Sequence, residues 1–186
     1  MASAFTHAVV ALSIGSWFYR PSISKSVWIA GMTSAVLPDL DSIGFRFHIP
    51  YASLWGHRGF THSIVFAGLL ASSLTMLLLR LGKPQIKPLP LLIYLFLATA
   101  SHGILDATTD GGLGVAFFSP FSPHRYFFPW RPIQVSPISI TRFFTSRGFA
   151  VLQSELLWVW VPAILFASTA FSLRELNSRR TTSHMN

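Results

Sequence analysis

Carboxylates and imidazoles gather at the ends of apolar stretches in this chain. Four of its six acidic residues, Asp39, Asp41, Asp106 and Asp110, lie near histidines at such ends. An ionised carboxylate beside a bilayer or an apolar core is costly unless a cation accompanies it, so clusters of this kind indicate metal binding or catalysis. We interpret the pattern as a metal site within a membrane protein.

The most regular of these groups is His102, Asp106 and Asp110, spaced at i, i+4 and i+8. On a helix this spacing gives one polar stripe along an otherwise apolar segment. An imidazole and a carboxylate one turn apart can share a metal ion. The alternative is that His102 is an ordinary buried histidine and that Asp110, which precedes a pair of glycines, ends the helix.

A second group combines Asp39 and Asp41, which follow Pro38, with His57 and His62. In extended geometry the two carboxylates project to the same side and can bridge two cations. His62 is expected in the first helical turn of the next segment, with His57 folded back over it. Asp after Pro is also common in turns, so this motif is informative only beside the other ligands.

The number of ligands, with His7 from the first apolar segment, exceeds the needs of one tetrahedral zinc. The sequence therefore predicts two or more divalent metal ions, which can clamp both the attacking and the leaving oxygen of a reaction. Mixed imidazole and carboxylate ligands suit zinc or manganese, and iron stays open. The predicted ligands are His7, Asp39, Asp41, His57, His62, His102 and Asp106.

Arginines near these ligands indicate an anionic substrate, because guanidinium forks suit phosphate oxygens. Arg58, next to His57, and Asp110 are the predicted catalytic residues beyond the metal ligands. Arg58 is also a predicted substrate contact, together with His124, Arg125 and Arg131. Arg125 and Arg131 have an equally good interpretation as lipid-headgroup contacts.

Composition favours a membrane protein: 51% of residues are apolar, only 11% are charged, and the mean hydropathy is +0.51. Several apolar runs approach the roughly 20 residues that cross a hydrocarbon core. The net charge of +8 comes from basic residues scattered through short loops, so no nucleic-acid partner is expected. The absence of cysteine excludes disulfides and thiolate ligands.

The apolar runs predict an all-α polytopic bundle of four to five helices. Thr61 is the predicted N-cap of the third helix, and Pro162 is a predicted kink in the fifth. Whether the short second segment spans fully is left open. The segments are 2–19, 26–37, 61–81, from Pro88 or Pro90 to Asp110, and 152–173.

Residues 1–173 are expected to form a single membrane-embedded domain, followed by a loose polar tail at 174–186. Within it, residues 107–150 hold eight of the 17 phenylalanines, five of the 12 prolines and four arginines. Aromatic and basic residues together are typical of the headgroup region. This stretch is therefore a predicted interfacial cap.

Five crossings would divide the basic residues between two faces. One face carries eight Lys and Arg and the other carries six. The positive-inside rule then places the face with eight basic residues, and the C-terminus, in the cytoplasm, and the Asp and His cluster outside it. A re-entrant second segment would invalidate this orientation. One face has Arg20, Lys25, Arg80, Lys83, Lys87, Arg174, Arg179 and Arg180; the other has Arg46, Arg58, Arg125, Arg131, Arg142 and Arg147.

The ordered motifs resemble those of the YdjM-type inner-membrane metal-dependent hydrolases, a family with some members under DNA-damage repressor control. The resemblance covers roughly residues 1–135 and implies a multi-helix bacterial inner-membrane protein with a hydrolase site built from these His and Asp. Family substrates are poorly defined, and regulation is not carried over. The motifs are Thr6-His7, Pro38-Asp39-Leu40-Asp41, His57-Arg58-Gly59-Phe60-Thr61-His62-Ser63 and His102-Gly103-Ile104-Leu105-Asp106.

These observations favour a hydrolase that cleaves a phosphoester of a lipid or a lipid-linked phosphate through metal-activated water. The predicted partners are the membrane lipid and this substrate, and the oligomeric state is left open. A metal-dependent ester or amide hydrolase would use the same ligands. A metal-binding transport or sensing protein is the alternative from another class, but transport requires polar groups that continue through the bundle.

Overall fold

A computed structural model describes residues 1–82 and 85–183, with side chains for all of these except 140 and 179–183. The chain is all-α, as predicted: within the described residues, the only β-pairing consists of two isolated bridges. Lys83 and the side chains of Arg179 and Arg180, which were assigned to the basic face, lie outside what is described, as do residues 184–186.

Four helices form the bundle that carries the site: α1 (Ala4–Ser16), α2 (Lys25–Val36), α3 (Ile64–Arg80) and α4 (Pro88–Ala107). Helix α4 is central and packs against the other three. Small residues such as Ala11, Ala35, Ala71 and Ala98 fill the core around Tyr94 and allow close approach of the helix backbones.

The remaining helices follow a long irregular stretch. They are α5 (Ile140–Phe143), α6 (Ser146–Glu155) and α7 (Val161–Ser183), and a π-helical turn, Leu156–Trp160, joins α6 to α7. Pro162 lacks the N–H that would continue the α-helical ladder, and the π turn lies directly before it. The helix continues past Arg174 to Ser183, so the described part of the predicted polar tail is helical.

Among the described residues, two apolar helical stretches reach membrane-spanning length, Pro88–Ala107 and Ser146–Ser178, while α1 and α3 are apolar but shorter. At 1.5 Å per residue the 12-residue α2 is only about 18 Å long, less than the roughly 30 Å hydrocarbon core. Helix length alone therefore does not support five membrane crossings, because α1, α2 and α3 are each shorter than a membrane-spanning helix. Outward-facing apolar side chains on α3 and α7, including Leu69, Leu77, Ile164 and Leu165, suit contact with lipid.

The boundaries of two predicted elements are corrected. Helix α3 begins after Ser63, whose hydroxyl accepts from the Phe66 N–H at 3.0 Å, so Ser63 rather than Thr61 is the N-cap. A short 3₁₀ turn, Phe60–His62, occupies the predicted first helical turn. Helix α4 ends at Ala107, so Asp110 lies beyond the helix that carries His102 and Asp106.

Candidate metal centre

Four buried residues from three parts of the fold bring their ligand atoms together. One atom from each of Asp39, His62, His102 and Asp106 lies within 4.8 Å of the other three. His102 Nε2 is 3.4 Å from Asp39 Oδ1, and His62 Nε2 is 3.5 Å from Asp106 Oδ2. This spacing is suitable for a single cation placed among the four side chains.

Helix α4 supplies two of these ligands, His102 and Asp106, one turn apart on its buried face, as the spacing predicted. Gly103 allows α4 to approach the His62 backbone, since a Cβ at this glycine would lie 2.9 Å from the His62 carbonyl oxygen. The glycine inside the helix therefore has a packing reason that outweighs its low helix propensity.

The two aspartates after α2 point in different directions. Leu37–Phe47 forms a 3₁₀ helix rather than extended chain, and with three residues per turn the i and i+2 side chains do not share a side. Asp39 faces His62 Nε2 and His102, while Asp41 faces His57 and His62 Nδ1. The expectation that both carboxylates project together is wrong.

The ring of His102 has a fixed tautomer. Its Nδ1 lies 2.7 Å from the Ala35 carbonyl oxygen, and a carbonyl can only accept, so Nδ1 carries a proton. Its Nε2 lies 3.0 Å from His62 Nε2. Two imidazole nitrogens at this distance must share a proton or a cation, so His102 Nε2 is a well-oriented candidate ligand.

His62 is surrounded by three carboxylates. Burial alone would lower its pKa, but the contacts with Asp106, Asp39 and Asp41 outweigh burial and raise the pKa of His62 to about 10. Asp41 responds in the opposite direction: burial would raise its pKa, yet contacts with His57 and His62 hold the pKa below its usual range. Positive charge is therefore favoured at the centre of the cluster.

Several buried polar atoms here lack a hydrogen-bond partner in the described part of the chain: both ring nitrogens of His7, both oxygens of Asp39, and Asp106 Oδ2. The His7 ring stacks on His102 with centroids 3.7 Å apart, and its Nε2 is 3.6 Å from Asp106 Oδ1. Unpartnered buried carboxylates and imidazoles are costly. Their convergence fits a divalent cation, with His7 as a fifth candidate ligand.

A second group, Asp41, His57 and His62, can also hold an ion. Asp41 already has several protein partners, because its Oδ1 lies 2.6 Å from His57 Nδ1 and its Oδ2 accepts from the Thr61 hydroxyl at 2.6 Å. The Arg58 N–H also donates to Asp41 Oδ2, at 3.1 Å. Unlike Asp39, this carboxylate is already hydrogen-bonded, and it orients the two histidines.

Arg58 is fully buried and lies within the protein interior rather than facing open space. Its Nε is 3.0 Å from Asp106 Oδ2, and its two Nη atoms donate to the Gly111 carbonyl and the Thr109 hydroxyl at 2.8 and 2.9 Å. Gly112, at φ +92°, is required here because a Cβ would lie 2.8 Å from Arg58 Nη1. The geometry favours a supporting role, and substrate contact by Arg58 stays a prediction.

The other predicted residues lie outside the cluster. Asp110 is exposed and accepts from the Val135 N–H at 2.7 Å, so the structure does not bring it to the ligands. Arg125 donates to the Tyr51 and His57 carbonyls, at 2.9 and 3.0 Å, and holds the loop that carries His57. His124 and Arg131 are exposed, and their substrate contacts stay predictions.

Glu155 was overlooked in the sequence, although a glutamate within an apolar segment is itself a signal. It is fully buried and accepts hydrogen bonds from the Ser3 and Thr6 hydroxyls, the latter at 2.8 Å. These bonds fix the start of α1, and the Ala2 N–H donates to Asp106 Oδ1 at 2.7 Å. Glu155 thus positions the segment that carries His7.

Comparison with known proteins gives a consistent assignment. Residues 1–178 match the family described as YdjM inner membrane protein. The chain is similar to the inner membrane protein YbcI of Escherichia coli (strain K12), with 39% identity over 167 residues, which cover 89% of this chain and 94% of that protein. No solved structure matches the chain. The predicted family is therefore confirmed: this chain belongs to the YdjM inner membrane protein family.

Proposed function

We propose that this protein is a membrane-embedded, metal-dependent hydrolase that acts on a lipid or lipid-linked phosphoester. The observation that carries the proposal is that buried His7 and Asp39 atoms without a hydrogen-bond partner converge, together with Asp106, on the paired Nε2 atoms of His62 and His102. A purely structural cluster would satisfy these atoms with protein donors. Buried ligand atoms left without protein partners are expected where a cation binds.

The protein residues have distinct roles in this proposal. Asp39, His62, His102 and Asp106 would hold the principal ion, with zinc or manganese suited to the mixed ligand set. A divalent ion bound there supplies Lewis acidity toward a phosphoryl or carbonyl oxygen and lowers the pKa of water. Asp41 keeps the Nε2 atom of His62 directed at the cluster through its contact with Nδ1.

A second ion at Asp41, His57 and His62 would extend the centre to the two-metal arrangement that many phosphatases use. It would have to displace the hydrogen bonds that Asp41 now accepts. The shared residue is His62, with Nε2 toward the first group and Nδ1 toward the second. Metal stoichiometry therefore distinguishes the one-ion from the two-ion form.

A lipid substrate is supported by an apolar groove of about 370 Å³ between α1 and α2. Its lining includes Ala8, next to His7, and Leu37 and Leu40, which flank Asp39. Leu40 is 60% exposed. A large apolar side chain is unfavourable in water, so this exposure suits contact with lipid. An acyl chain in this groove would bring its headgroup to the side of the cluster where Asp39 is slightly exposed.

Hydrolysis of a carbonyl compound is the second candidate. It is favoured because the donors of Arg58 are already hydrogen-bonded or paired within the protein. An ester or amide needs the metal-activated water but no guanidinium clamp, and the donors of Arg58 already contact Asp106, Thr109 and Gly111. A transport or sensing role receives less support. Beyond the cluster, the polar side chains buried in the described core are hydroxyls such as those of Thr75 and Thr99, and no further charged group continues the cluster along α3 and α4 within the described residues.

Orientation is part of the proposal. We expect the C-terminus in the cytoplasm and the metal centre on the opposite side. The α1–α2 turn, the α3–α4 turn and the C-terminal tail together carry eight Lys and Arg, against six on the opposite face. A reporter fused at the C-terminus should behave as cytoplasmic, and a tag inserted near Phe121, which is 86% exposed, as external. External labelling of the C-terminus in intact cells would overturn this orientation.

The activity test uses protein purified in detergent, loaded with zinc or manganese, and given phospholipids, polyprenyl phosphates and matched acyl esters. We expect release of phosphate or of a phosphorylated headgroup, abolished by His102→Ala and unaffected by Asp110→Asn, an exposed carboxylate outside the cluster. Cleavage of the acyl esters without cleavage of any phosphoester would show that the protein is a carbonyl hydrolase rather than a phosphoesterase. No turnover of any substrate by metal-loaded protein would support metal handling instead.

A further inference from the structure

A cavity lies at the end of the bundle opposite to the candidate metal centre. It has a volume of about 580 Å³ and lies between the end of α1, the start of α4 and α7. Along α4, Leu89 in its wall is 13 residues from His102, which at 1.5 Å per residue is about 20 Å. The cavity is therefore separate from the cluster.

Charge in this cavity has a single sign. Arg20, Lys87 and Arg174 contribute to its lining, and no acidic side chain does so within the described part of the chain. Three cations around one concave surface repel one another unless an anion is present. The lining is therefore complementary to an anionic group.

Arg174 offers a donor that the described residues do not use. One Nη atom donates to the Ser16 carbonyl, and the guanidinium lies 5.5 Å from the Tyr19 ring and 5.2 Å from the Phe171 ring. The other nitrogen, Nη1, is buried and has no hydrogen-bond partner among the described residues. A guanidinium fixed on one side with a free donor on the other is suited to a phosphate oxygen.

Apolar side chains also line the cavity. Leu89, Ile93 and Trp17 line it and are 64%, 41% and 44% exposed. On a helix that is long and apolar enough to cross a membrane, exposed side chains of this kind suit an acyl chain. The cavity thus combines a basic part with an apolar part, as an amphiphile requires.

We propose that this cavity binds an anionic phospholipid, with the phosphate among Arg20, Lys87 and Arg174 and one acyl chain along Leu89 and Ile93. Basic pockets between membrane helices commonly hold anionic headgroups, and each cation near the membrane surface contributes about 1 kcal/mol, which is about fivefold in affinity. The site is independent of the proposed hydrolase activity. Its lipid binds and is not cleaved there.

The test is native mass spectrometry of the protein released from nanodiscs that contain phosphatidylglycerol and phosphatidylcholine in equal amounts. The wild type should retain phosphatidylglycerol in preference. The double variant Arg20→Gln/Lys87→Gln should lower that affinity about 25-fold, from two cations at about fivefold each. Both side chains are exposed, so the variant should fold. Arg80→Gln, an exposed cation that does not line the cavity, is the matched control.

Competition identifies the source of the phosphate. Inorganic phosphate and glycerophosphoglycerol, which lack acyl chains, should not displace the bound lipid. Displacement by either would overturn the lipid assignment in favour of a soluble phosphate ligand. Equal retention of the two lipids by the wild type, or unchanged preference in the double variant, would overturn the site itself.

Discussion

Arg58 Nε lies 3.0 Å from Asp106 Oδ2, and both side chains are completely buried. This ion pair joins the loop after the 3₁₀ helix to the surface of α4 that faces the His and Asp cluster. The same Asp106 oxygen is 3.5 Å from His62 Nε2. The arginine therefore neutralises part of the carboxylate charge and fixes the orientation in which Asp106 meets the cluster.

Replacing Arg58 with Ala should destabilise the protein by about 3–5 kcal/mol, because it leaves the buried Asp106 without its partner. Metal content should fall as well, since Asp106 loses its orientation. The measurement is thermal unfolding in detergent together with elemental analysis. Arg131→Ala, an exposed arginine over the Phe127 ring, is the control and should change stability by less than about 0.5 kcal/mol. A stable Arg58→Ala variant with full metal content but no turnover would instead make Arg58 a substrate ligand.

The role of Asp41 is tested by Asp41→Asn, which preserves shape and removes charge. If Asp41 orients His57 and His62, metal affinity should fall about 10–100-fold while the number of ions at saturation is unchanged. The measurement is a metal titration of the metal-free protein by calorimetry, with Asp110→Asn as the control. Loss of one bound ion per chain at saturation would show that Asp41 is a direct ligand of a second metal.

Proton release should accompany metal binding. In the metal-free protein the three carboxylates hold the pKa of His62 at about 10, so His62 is protonated at neutral pH and must lose a proton to bind metal. Affinity should therefore rise about tenfold per pH unit below that pKa. The linked stabilisation of the metal-free fold is fully present below the ordinary histidine pKa of 6.5 and is lost as pH rises through about 10.

Calorimetry in two buffers with different ionisation enthalpies measures this proton directly. The observed heat should differ between the buffers by the amount expected for at least one released proton. Identical heats in both buffers would contradict the protonated state of His62.

Local sequence patterns predicted the helices and the pairing of His102 with Asp106 because both depend on helical periodicity. Asp110 was misplaced because the pattern continues past the point where α4 ends, and the Val135 N–H that binds Asp110 comes from 25 residues away. Asp39 and Asp41 were misjudged because Pro38 enters a 3₁₀ helix instead of an extended turn. Side chains two residues apart share a side in an extended chain but not in a 3₁₀ helix.

Long-range partners set the roles that the sequence left open. Arg58 is adjacent to His57 in sequence, which suggested a substrate contact, yet its partners Thr109 and Gly111 lie more than 50 residues away. Glu155 likewise bonds to Ser3 across 152 residues. Such pairs follow from how α4, α6 and α1 pack, and neither composition nor spacing in one sequence reveals them.

The most direct test of the metal centre is elemental analysis of the protein purified through a tag without histidines. We expect at least one transition-metal ion per chain in the wild type, loss of that ion in His102→Ala and Asp106→Asn with membrane insertion retained, and full content in His124→Ala, an exposed histidine outside the cluster. A wild type that binds no divalent metal, or equal metal content in all four proteins, would contradict the account.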